Sequence, residues 1–208
     1  MRLLSRGFPV EHLLSSISTE ISWYRISRTA ITPSGPLVQT TNYADVRIHG
    51  LELAGDAPFT SSIGIVTLSA SAAFTRGTIT RGINPLNNKP LDGAPADNIT
   101  PVKALGAARF TERRGRWWGE YGVRTQADVK RVTPTLLTSP FRVAQDLLSL
   151  KGFTVQRIGW GFNFQREHDR LGLTFAVENL TNVYYREHFQ FAPSRGRTFT
   201  AGISAGAF

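Results

Sequence analysis

Apolar and polar residues alternate along most of this chain, and the alternation is clearest between Trp117 and Lys130. Uncharged residues occupy the odd positions: Trp117, Gly119, Tyr121, Val123, Thr125, Ala127 and Val129. Mostly charged and polar residues occupy the even positions after Trp118: Glu120, Gly122, Arg124, Gln126, Asp128 and Lys130. Because successive side chains of a β-strand point to opposite faces, this pattern predicts a strand with one charged face and one uncharged face.

The same period of two recurs along the chain and predicts eight antiparallel strands. Their predicted bounds are 17–29, 43–56, 61–78, 98–111, 116–132, 151–165, 169–180 and 197–208. The apolar positions change phase inside two of these strands, around Gly50 and between Val155 and Ile158. A strand that bulges changes the phase of its side chains, so we expect a β-bulge at each of these two places.

The connections between the predicted strands alternate in length. Three are tight turns, at "APFT", "ERRG" and "REHD", whereas 30–42, 79–97, 133–150 and 181–196 are long and rich in Pro, Asn, Gly and Ser. Short turns at one end and long loops at the other are typical of an outer-membrane β-barrel. Four aromatic residues fall at the short-turn end, where a girdle would meet lipid headgroups: Phe110, Trp117, Phe164 and Phe208. The predicted fold class is all-β, an antiparallel transmembrane β-barrel with about eight strands present.

Composition narrows the possible classes further. The 208 residues carry a formal net charge of +9 and include no cysteine, which excludes a disulfide framework and cysteine-based metal sites. No stretch approaches the roughly 18–20 apolar residues of a membrane-spanning helix. The densest basic runs, "TERRGR" and "QREHDR", are mixed in sign and lie in predicted turns, so nucleic acid is not an expected partner.

The charged face of the 116–132 strand supplies candidates for residues that face a barrel lumen. They are Glu120, Arg124, Gln126, Asp128 and Lys130. If the uncharged face meets lipid, these side chains point inward, where opposite charges can pair along the wall or with neighbouring strands. They form either a self-satisfied polar interior or a surface that contacts a plug or a passing ligand.

The last long loop concentrates aromatic and cationic residues and supplies the candidates for ligand contact on the extracellular side. They are Tyr184, Tyr185, Arg186, His188 and Arg195. Exposed aromatic rings beside cations suit an anionic, ring-bearing ligand, and the same side chains also suit packing of the loop against its neighbours. The histidines are isolated, and no phosphate-binding loop or nucleophile elbow occurs, so we expect no enzymatic activity, no cofactor and no metal site.

Three segments resemble the TonB-dependent outer-membrane receptors. The stretch "YADVRIHGLELAGD" (43–56) is similar to a barrel segment with an Arg-Ile-x-Gly-x-Glu-Leu core, and "VENLTNVYY" followed by "RGRTFTAGIS" is similar to the terminal pair of strands. The resemblance spans nearly the whole chain from residue 17. It implies a place in the bacterial outer membrane and active uptake of a scarce, large ligand such as a ferric siderophore, cobalamin or an oligosaccharide.

In this family a plug domain and a TonB-contacting segment precede a barrel of roughly 22 strands. The resemblance therefore implies that 17–208 are C-terminal barrel strands, and that 1–16 are an N-terminal segment or a truncated preceding strand. Implied partners are outer-membrane lipid and lipopolysaccharide, a plug domain and further barrel strands outside this sequence, and the TonB complex. Family members usually end on an aromatic residue in phase with the outward side chains, whereas Phe208 misses that phase by one residue.

Two alternatives remain open from the sequence alone. Eight strands are enough for a small closed barrel, which would be a structural or adhesive outer-membrane protein. A soluble β-sandwich that binds carbohydrate or nucleic acid through a basic surface is the other alternative, and the alternating connection lengths disfavour it.

Overall fold

The structure, a computed structural model, describes residues 4–9, 18–28, 44–84, 87–96, 99–134, 149–166, 169–188, 190 and 192–207. Nine strands lie within these residues. They are β1 Leu4–Pro9, β2 Ser18–Arg28, β3 Ala44–Thr60, β4 Gly64–Gly82, β5 Lys103–Glu112, β6 Trp117–Gln126, β7 Phe153–Arg166, β8 Asp169–Glu178 and β9 Thr198–Ala207. No helix within the described ranges is long and apolar enough to cross a bilayer.

The nine strands form one antiparallel sheet in which each strand pairs with its neighbours in sequence. The all-β antiparallel fold class is therefore confirmed, and each of the eight predicted strands is present. β1 is additional, and its residues pair with β2 from Leu4 opposite Arg25 to Pro9 opposite Glu20. The pairings among the described residues leave β1 and β9 at the two edges, and a single sheet of this kind is not a sandwich of two packed sheets.

The tight turns and long connections alternate as the sequence predicts. The turn between β5 and β6 is closed by a hydrogen bond from the Gly115 amide to the Glu112 carbonyl, 2.7 Å long, and Gly115 has a φ of +69°. Glycine suits that backbone conformation because it has no Cβ to clash. At this end of the sheet the rings of Phe110 and Trp117 lie 5.0 Å apart, and Phe164 is exposed. Phe208 lies outside the described residues.

The two faces of the sheet differ in chemistry. We call the face that carries Glu120 and Arg124 the inner face, and the opposite face the outer face. Directly paired residues share a face, so the register places exposed apolar side chains in rows across the outer face. Its large exposed members include Ile21, Trp23, Leu51, Leu53, Leu68, Phe74, Tyr121, Ile158, Trp160, Phe162, Leu171, Phe199 and Ile203.

Phe199 and Ile203 are 75% and 77% exposed, which a water-facing surface would not favour for such large apolar groups. An apolar outer face of this extent needs an apolar environment, and the hydrocarbon of a bilayer supplies one.

The bulges predicted at Gly50 and between Val155 and Ile158 are wrong. Pairing runs without interruption through His49–Leu51 on both sides of β3, and from Phe153 to Phe162 on β7. The register shift in the β3–β4 pairing lies elsewhere, between Asp45 and Val46, where Thr80 is the extra residue and donates a hydrogen bond to the Asp45 carbonyl.

The apolar residues of β3 move from the inner face, at Val46 and Ile48, to the outer face, at Leu51 and Leu53. The strand stays regular, and what changes is the face that the apolar side chains occupy. Ile79, Leu91 and Ala96 form a small buried core on the inner face, with Val46 and Ile99 packed against it. The connection between β4 and β5 folds over the sheet there and is tied to β4 by a hydrogen bond from the Ile79 amide to the Ala94 carbonyl, 2.8 Å long.

The inner face of β7 shows the same effect. Phe153 and Val155 are buried, and the ring of Phe153 lies 4.1 Å from that of Tyr185 in the connection between β8 and β9. Inward apolar residues on β3 and β7 therefore mark the places where long connections cover the inner face.

Trp118 lies on the inner face against two glycines of β7. A Cβ built on Gly161 would lie 2.5 Å from Trp118 Nε1 and 2.9 Å from the Leu173 carbonyl oxygen. A Cβ on Gly159 would lie 3.5 Å from the same indole ring. The missing side chains therefore leave the space that Trp118 occupies.

We predict that Gly161→Ala destabilises the sheet by about 1–3 kcal/mol, because the added methyl displaces the Trp118 ring and presses on backbone. Gly119→Ala is the matched control, since nothing lies within 4 Å of a Cβ at that position. The measurement is denaturant unfolding in detergent micelles followed by tryptophan fluorescence. Equal stability of the two variants would contradict the close packing of Trp118 on Gly161.

Candidate functional site

A ladder of ion pairs crosses four neighbouring strands on the inner face. Arg109 of β5 lies 3.5 Å from Glu120 of β6, and Glu120 lies 3.6 Å from Arg157 of β7. Arg157 continues the ladder to Glu178 of β8, with 3.0 Å between Nε and Oε1. The register explains these contacts, because Arg109 faces Glu120 and Arg157 faces Glu178 directly. The wall thus satisfies most of its own charge.

The guanidinium of Arg109 also lies over the Trp118 ring, 4.0 Å from its centroid. This cation–π contact places an aromatic ring and a cation side by side at the short-turn end of the inner face. Arg109 therefore contacts both Glu120 of the ion-pair ladder and the Trp118 ring that packs on Gly159 and Gly161.

A second group of contacts holds the connection between β8 and β9 against the inner face. The Glu187 carboxylate contacts the Arg124 guanidinium and lies 3.6 Å from Lys103 Nζ. Arg124 also donates a hydrogen bond of 2.9 Å to the Tyr185 hydroxyl, whose ring packs on Phe153. We call Lys103, Arg124, Phe153, Tyr185 and Glu187 the loop anchor. It fixes the middle of this connection to β5, β6 and β7.

Two asparagines shape the start of the same connection. Asn179 and Asn182 both have a φ of +53°, a left-handed conformation that asparagine tolerates better than most residues. The buried Asn179 side chain accepts a hydrogen bond from the Val183 amide and donates one to the Val183 carbonyl, each 2.9 Å long. Asn182 accepts one from the Arg197 amide, 2.8 Å long, which joins the two ends of the connection. The segment "ENLTN" therefore turns the chain sharply inward.

The charges of the loop anchor shift the acidity of Glu187. Its burial alone would raise the pKa, but the hydrogen bond and charge of Arg124 and the charge of Lys103 outweigh that effect. The pKa of Glu187 therefore lies below its ordinary value of 4.5, and the carboxylate is ionised at neutral pH. The loop anchor is a charged contact under physiological conditions.

A cleft of about 890 Å³ lies beside the loop anchor on the inner face. Strands β5 to β8 form one wall, and Gln190 with the segment from Ala192 to Gly196 forms the other. Its lining includes Arg157, Glu178, Tyr185 and Arg195, so cations, a carboxylate and a phenol face one space. A second cavity of about 300 Å³ lies next to it, between β2 and β7. The first cleft is large enough for a drug-sized molecule.

The structure separates the five residues predicted to face a lumen. Glu120, Arg124 and Gln126 share the inner face of β6. β6 ends at Gln126, six residues before the predicted end at 132, so Asp128 and Lys130 lie in the following connection. Asp128 there accepts a hydrogen bond of 2.6 Å from the Gly152 amide and fastens the two ends of that connection.

The five loop candidates also have different positions. Tyr185 and Arg195 line the cleft, whereas Tyr184 is 69% exposed and is not part of its lining. Arg186 is 7% exposed, with Nη2 3.5 Å from the Ser149 hydroxyl, so its guanidinium lies inside the protein. His188 is half-buried. Of the five, Tyr185 and Arg195 are the two that line the cleft, and ligand contact by any of the five stays a prediction.

The prediction from sequence missed Glu187, Arg157 and Glu178. Arg157 and Glu178 lie on the same face as Glu120. Assigning inward positions on β7 and β8 from their own alternation would have identified both residues. Glu187 carried no such signal, since its contact with Arg124 joins residues 63 positions apart. Within the described ranges no group of three or more His, Cys, Asp or Glu side chains is placed to hold a metal ion.

Comparison with known proteins identifies relatives of this fold. A family model described as "TonB dependent receptor-like, beta-barrel" matches residues 13–180. No curated protein matches the chain in sequence. Among solved structures, the chain is similar to one described as "Copper transporter OprC", with a TM-score of 0.68 and 20% sequence identity. The similarity covers 99% of this chain and 31% of the transporter, and at this identity it shows the fold alone.

We predict that Glu187→Gln releases the connection between β8 and β9 from the inner face, because the neutral amide loses the charged contact with Arg124. Hydrogen exchange of the amides from 183 to 188 should become about tenfold faster at pH 7, as expected for loss of a hydrogen bond between charged groups. Glu112→Gln is the control, since Glu112 pairs with Arg116 in a short turn at the other end. Unchanged exchange in this segment would contradict the loop anchor.

The difference in melting temperature between wild type and Glu187→Gln should depend on pH in one direction. Because the pKa of Glu187 is lower in the folded state, its stabilisation is fully present above pH 4.5 and is lost as pH falls through the lowered value. Wild type should therefore melt at a higher temperature than Glu187→Gln at pH 7, and the difference should vanish in acid. A difference that grows on acidification would contradict this assignment.

Proposed function

Because this chain belongs to the TonB-dependent receptor-like β-barrel family of the bacterial outer membrane, we propose that it forms the C-terminal part of a receptor barrel for active uptake of a scarce ligand. The observation that carries the proposal is the contrast between the two faces of one sheet. The outer face presents apolar rows suited to lipid, while the inner face carries the ion-pair ladder and a covered cleft.

Completion of the barrel is part of the proposal. In hydrocarbon an unpaired backbone group costs several kcal/mol, so the edges of β1 and β9 both need partner strands. The matched transporter is about three times longer than this chain, which spans 31% of it. We propose that further barrel strands, a plug domain and the TonB complex are the partners that complete the receptor.

The plug domain would contact the inner face at its short-turn end. There the half-buried Arg109 and Trp118 place a cation over a ring, and Glu120 of the ladder pairs with the same arginine. A wall with satisfied charges binds a movable domain without a large desolvation cost, and this suits a plug that must shift during transport. We propose a gating role for this region and no enzymatic activity.

The ligand would be anionic and rich in oxygen. Arg195 and Tyr185 line the cleft beside Arg157, which is already paired with Glu120 and Glu178, so the Arg195 guanidinium and the Tyr185 phenol are the groups that would bind a carboxylate or catecholate. A ferric siderophore has this chemistry, and we propose it as the ligand class. The copper named for the matched transporter is the second candidate, and it rests on likeness of fold alone.

The test is uptake by cells that produce this barrel segment together with its remaining barrel strands and its plug domain, with and without TonB. We predict TonB-dependent uptake of radiolabelled ferric siderophore, and no uptake when the 208 residues are produced alone. Arg195→Ala should raise the half-saturating concentration about tenfold, because a charge-assisted hydrogen bond to the ligand is lost. Arg113→Ala, in a short turn at the opposite end, should leave it unchanged.

Three outcomes would contradict parts of this account. Uptake that persists without TonB would overturn the receptor class. Uptake of copper but not of the siderophore would overturn the ligand class and leave the receptor class standing. Equal effects of Arg195→Ala and Arg113→Ala would remove the cleft from ligand binding.

A further inference from the structure

A row of basic residues crosses three strands on the outer face near the long connections. Arg25 of β2 faces His49 of β3, and His49 faces Arg76 of β4. Arg47 lies two residues further along β3 on the same face. All four side chains are exposed. We call these four residues the outer basic row.

Within the described residues, the outer basic row forms no ion pair with a carboxylate. No hydrogen bond or ion pair joins its side chains to the residues that the structure describes. The nearest carboxylate on this face of β3 is Asp45, which stands directly opposite another cation, Arg81. Arg47 lies diagonally from both Arg25 and Arg76, and like charges at diagonal positions of a sheet repel, so an anion bound beside the row would stabilise it.

Apolar side chains continue directly below the row. Trp23, Leu51 and Phe74 face one another across the same three strands, and all are exposed. Beneath them lie Ile21, Leu53 and Ala72, again directly paired. The basic row and the first apolar row are therefore adjacent on the outer face, with no mixed row between them.

The height of the row matches the edge of a membrane. From Phe59, at the short-turn end of β3, to His49 is ten residues, or about 34 Å of strand at roughly 3.4 Å per residue. With a strand tilt of about 40°, this corresponds to about 26 Å along the membrane normal, close to the height of the apolar band of outer-membrane barrels. The outer basic row thus lies where acyl chains give way to headgroups on the side of the long connections.

We propose that the outer basic row binds the phosphate groups of lipopolysaccharide in the outer leaflet. Arginine forks fit phosphate oxygens, and the Trp23, Leu51 and Phe74 row beneath offers a surface for the acyl chains of the same molecule. A lipid supplies both kinds of group at this spacing, and a free phosphate supplies one. The inference rests on the outer-membrane location and not on the transported ligand, so a failed uptake assay would leave it standing.

The first test needs no variant. Wild-type chain in detergent micelles is titrated with diphosphorylated lipid A and with acyl-matched, dephosphorylated lipid A, and binding is measured by native mass spectrometry. We predict binding of the phosphorylated lipid at least about tenfold tighter. Inorganic phosphate at millimolar concentration should not displace it. Equal binding of the two lipids, or full displacement by inorganic phosphate, would overturn the proposal.

The second test assigns the binding to the row. Arg25→Ala/Arg76→Ala should lose at least about tenfold in affinity for lipid A, and Arg25→Lys/Arg76→Lys should lose less, because lysine keeps the charge but not the planar fork. The control is Arg113→Ala/Arg114→Ala, which removes the same charge from a short turn at the other end of the sheet. The proposal is overturned if the control loses as much affinity as the Arg25 and Arg76 variant.

Discussion

Inside a bilayer every backbone N–H and C=O group must find its partner within the protein, and the fold of this chain depends on that constraint. The sheet meets it by pairing each strand with its neighbours in sequence, so the backbone is satisfied between the two edges. An unpaired peptide group in hydrocarbon costs several kcal/mol, whereas a partly exposed ion pair contributes about 1 kcal/mol or less. Backbone pairing therefore determines the fold, and the inner-face ladder mainly neutralises charges that the pairing has already placed.

Strict pairing also explains how far the sequence could be interpreted. The alternation in β6 predicted both the strand and its charged face, because side chains of a regular strand must point to opposite sides. The same rule gives a wrong prediction at Gly50 and Val155, where a change in the phase of the apolar residues predicts a bulge that the structure does not contain. The strand is regular at both places, and the inward apolar residues lie beneath connections that fold over the inner face. An apolar position in a strand indicates that the side chain is buried, but it does not indicate whether lipid or a folded-over connection buries it.

The loop anchor shows more clearly what the sequence pattern does not predict. Glu187 contacts Arg124 across 63 positions of sequence, and Asn179 and Asn182 turn the intervening chain inward. The sequence pattern locates the aromatic and cationic loop, but it leaves open whether Tyr184 and Tyr185 contact a ligand or pack against the neighbours of the loop. The resulting cleft brings Arg195 of the loop to the same space as Arg157 and Glu178 of the wall. The outer basic row applies the same chemistry to lipid, on the opposite face.

The central claim is that one face of this sheet meets lipid and the other meets water. The direct test is a scan of single-cysteine variants along β6, from 117 to 126, in a chain that has no cysteine of its own. Each variant carries a spin label in a lipid bilayer, and its accessibility to oxygen is compared with its accessibility to a water-soluble nickel chelate. We expect labels at odd positions to respond to oxygen and labels at 118, 120 and 122 to respond to the nickel chelate, whereas 124 and 126 lie beneath the connection between β8 and β9. The same response along the whole strand, or the opposite phase, would contradict the account.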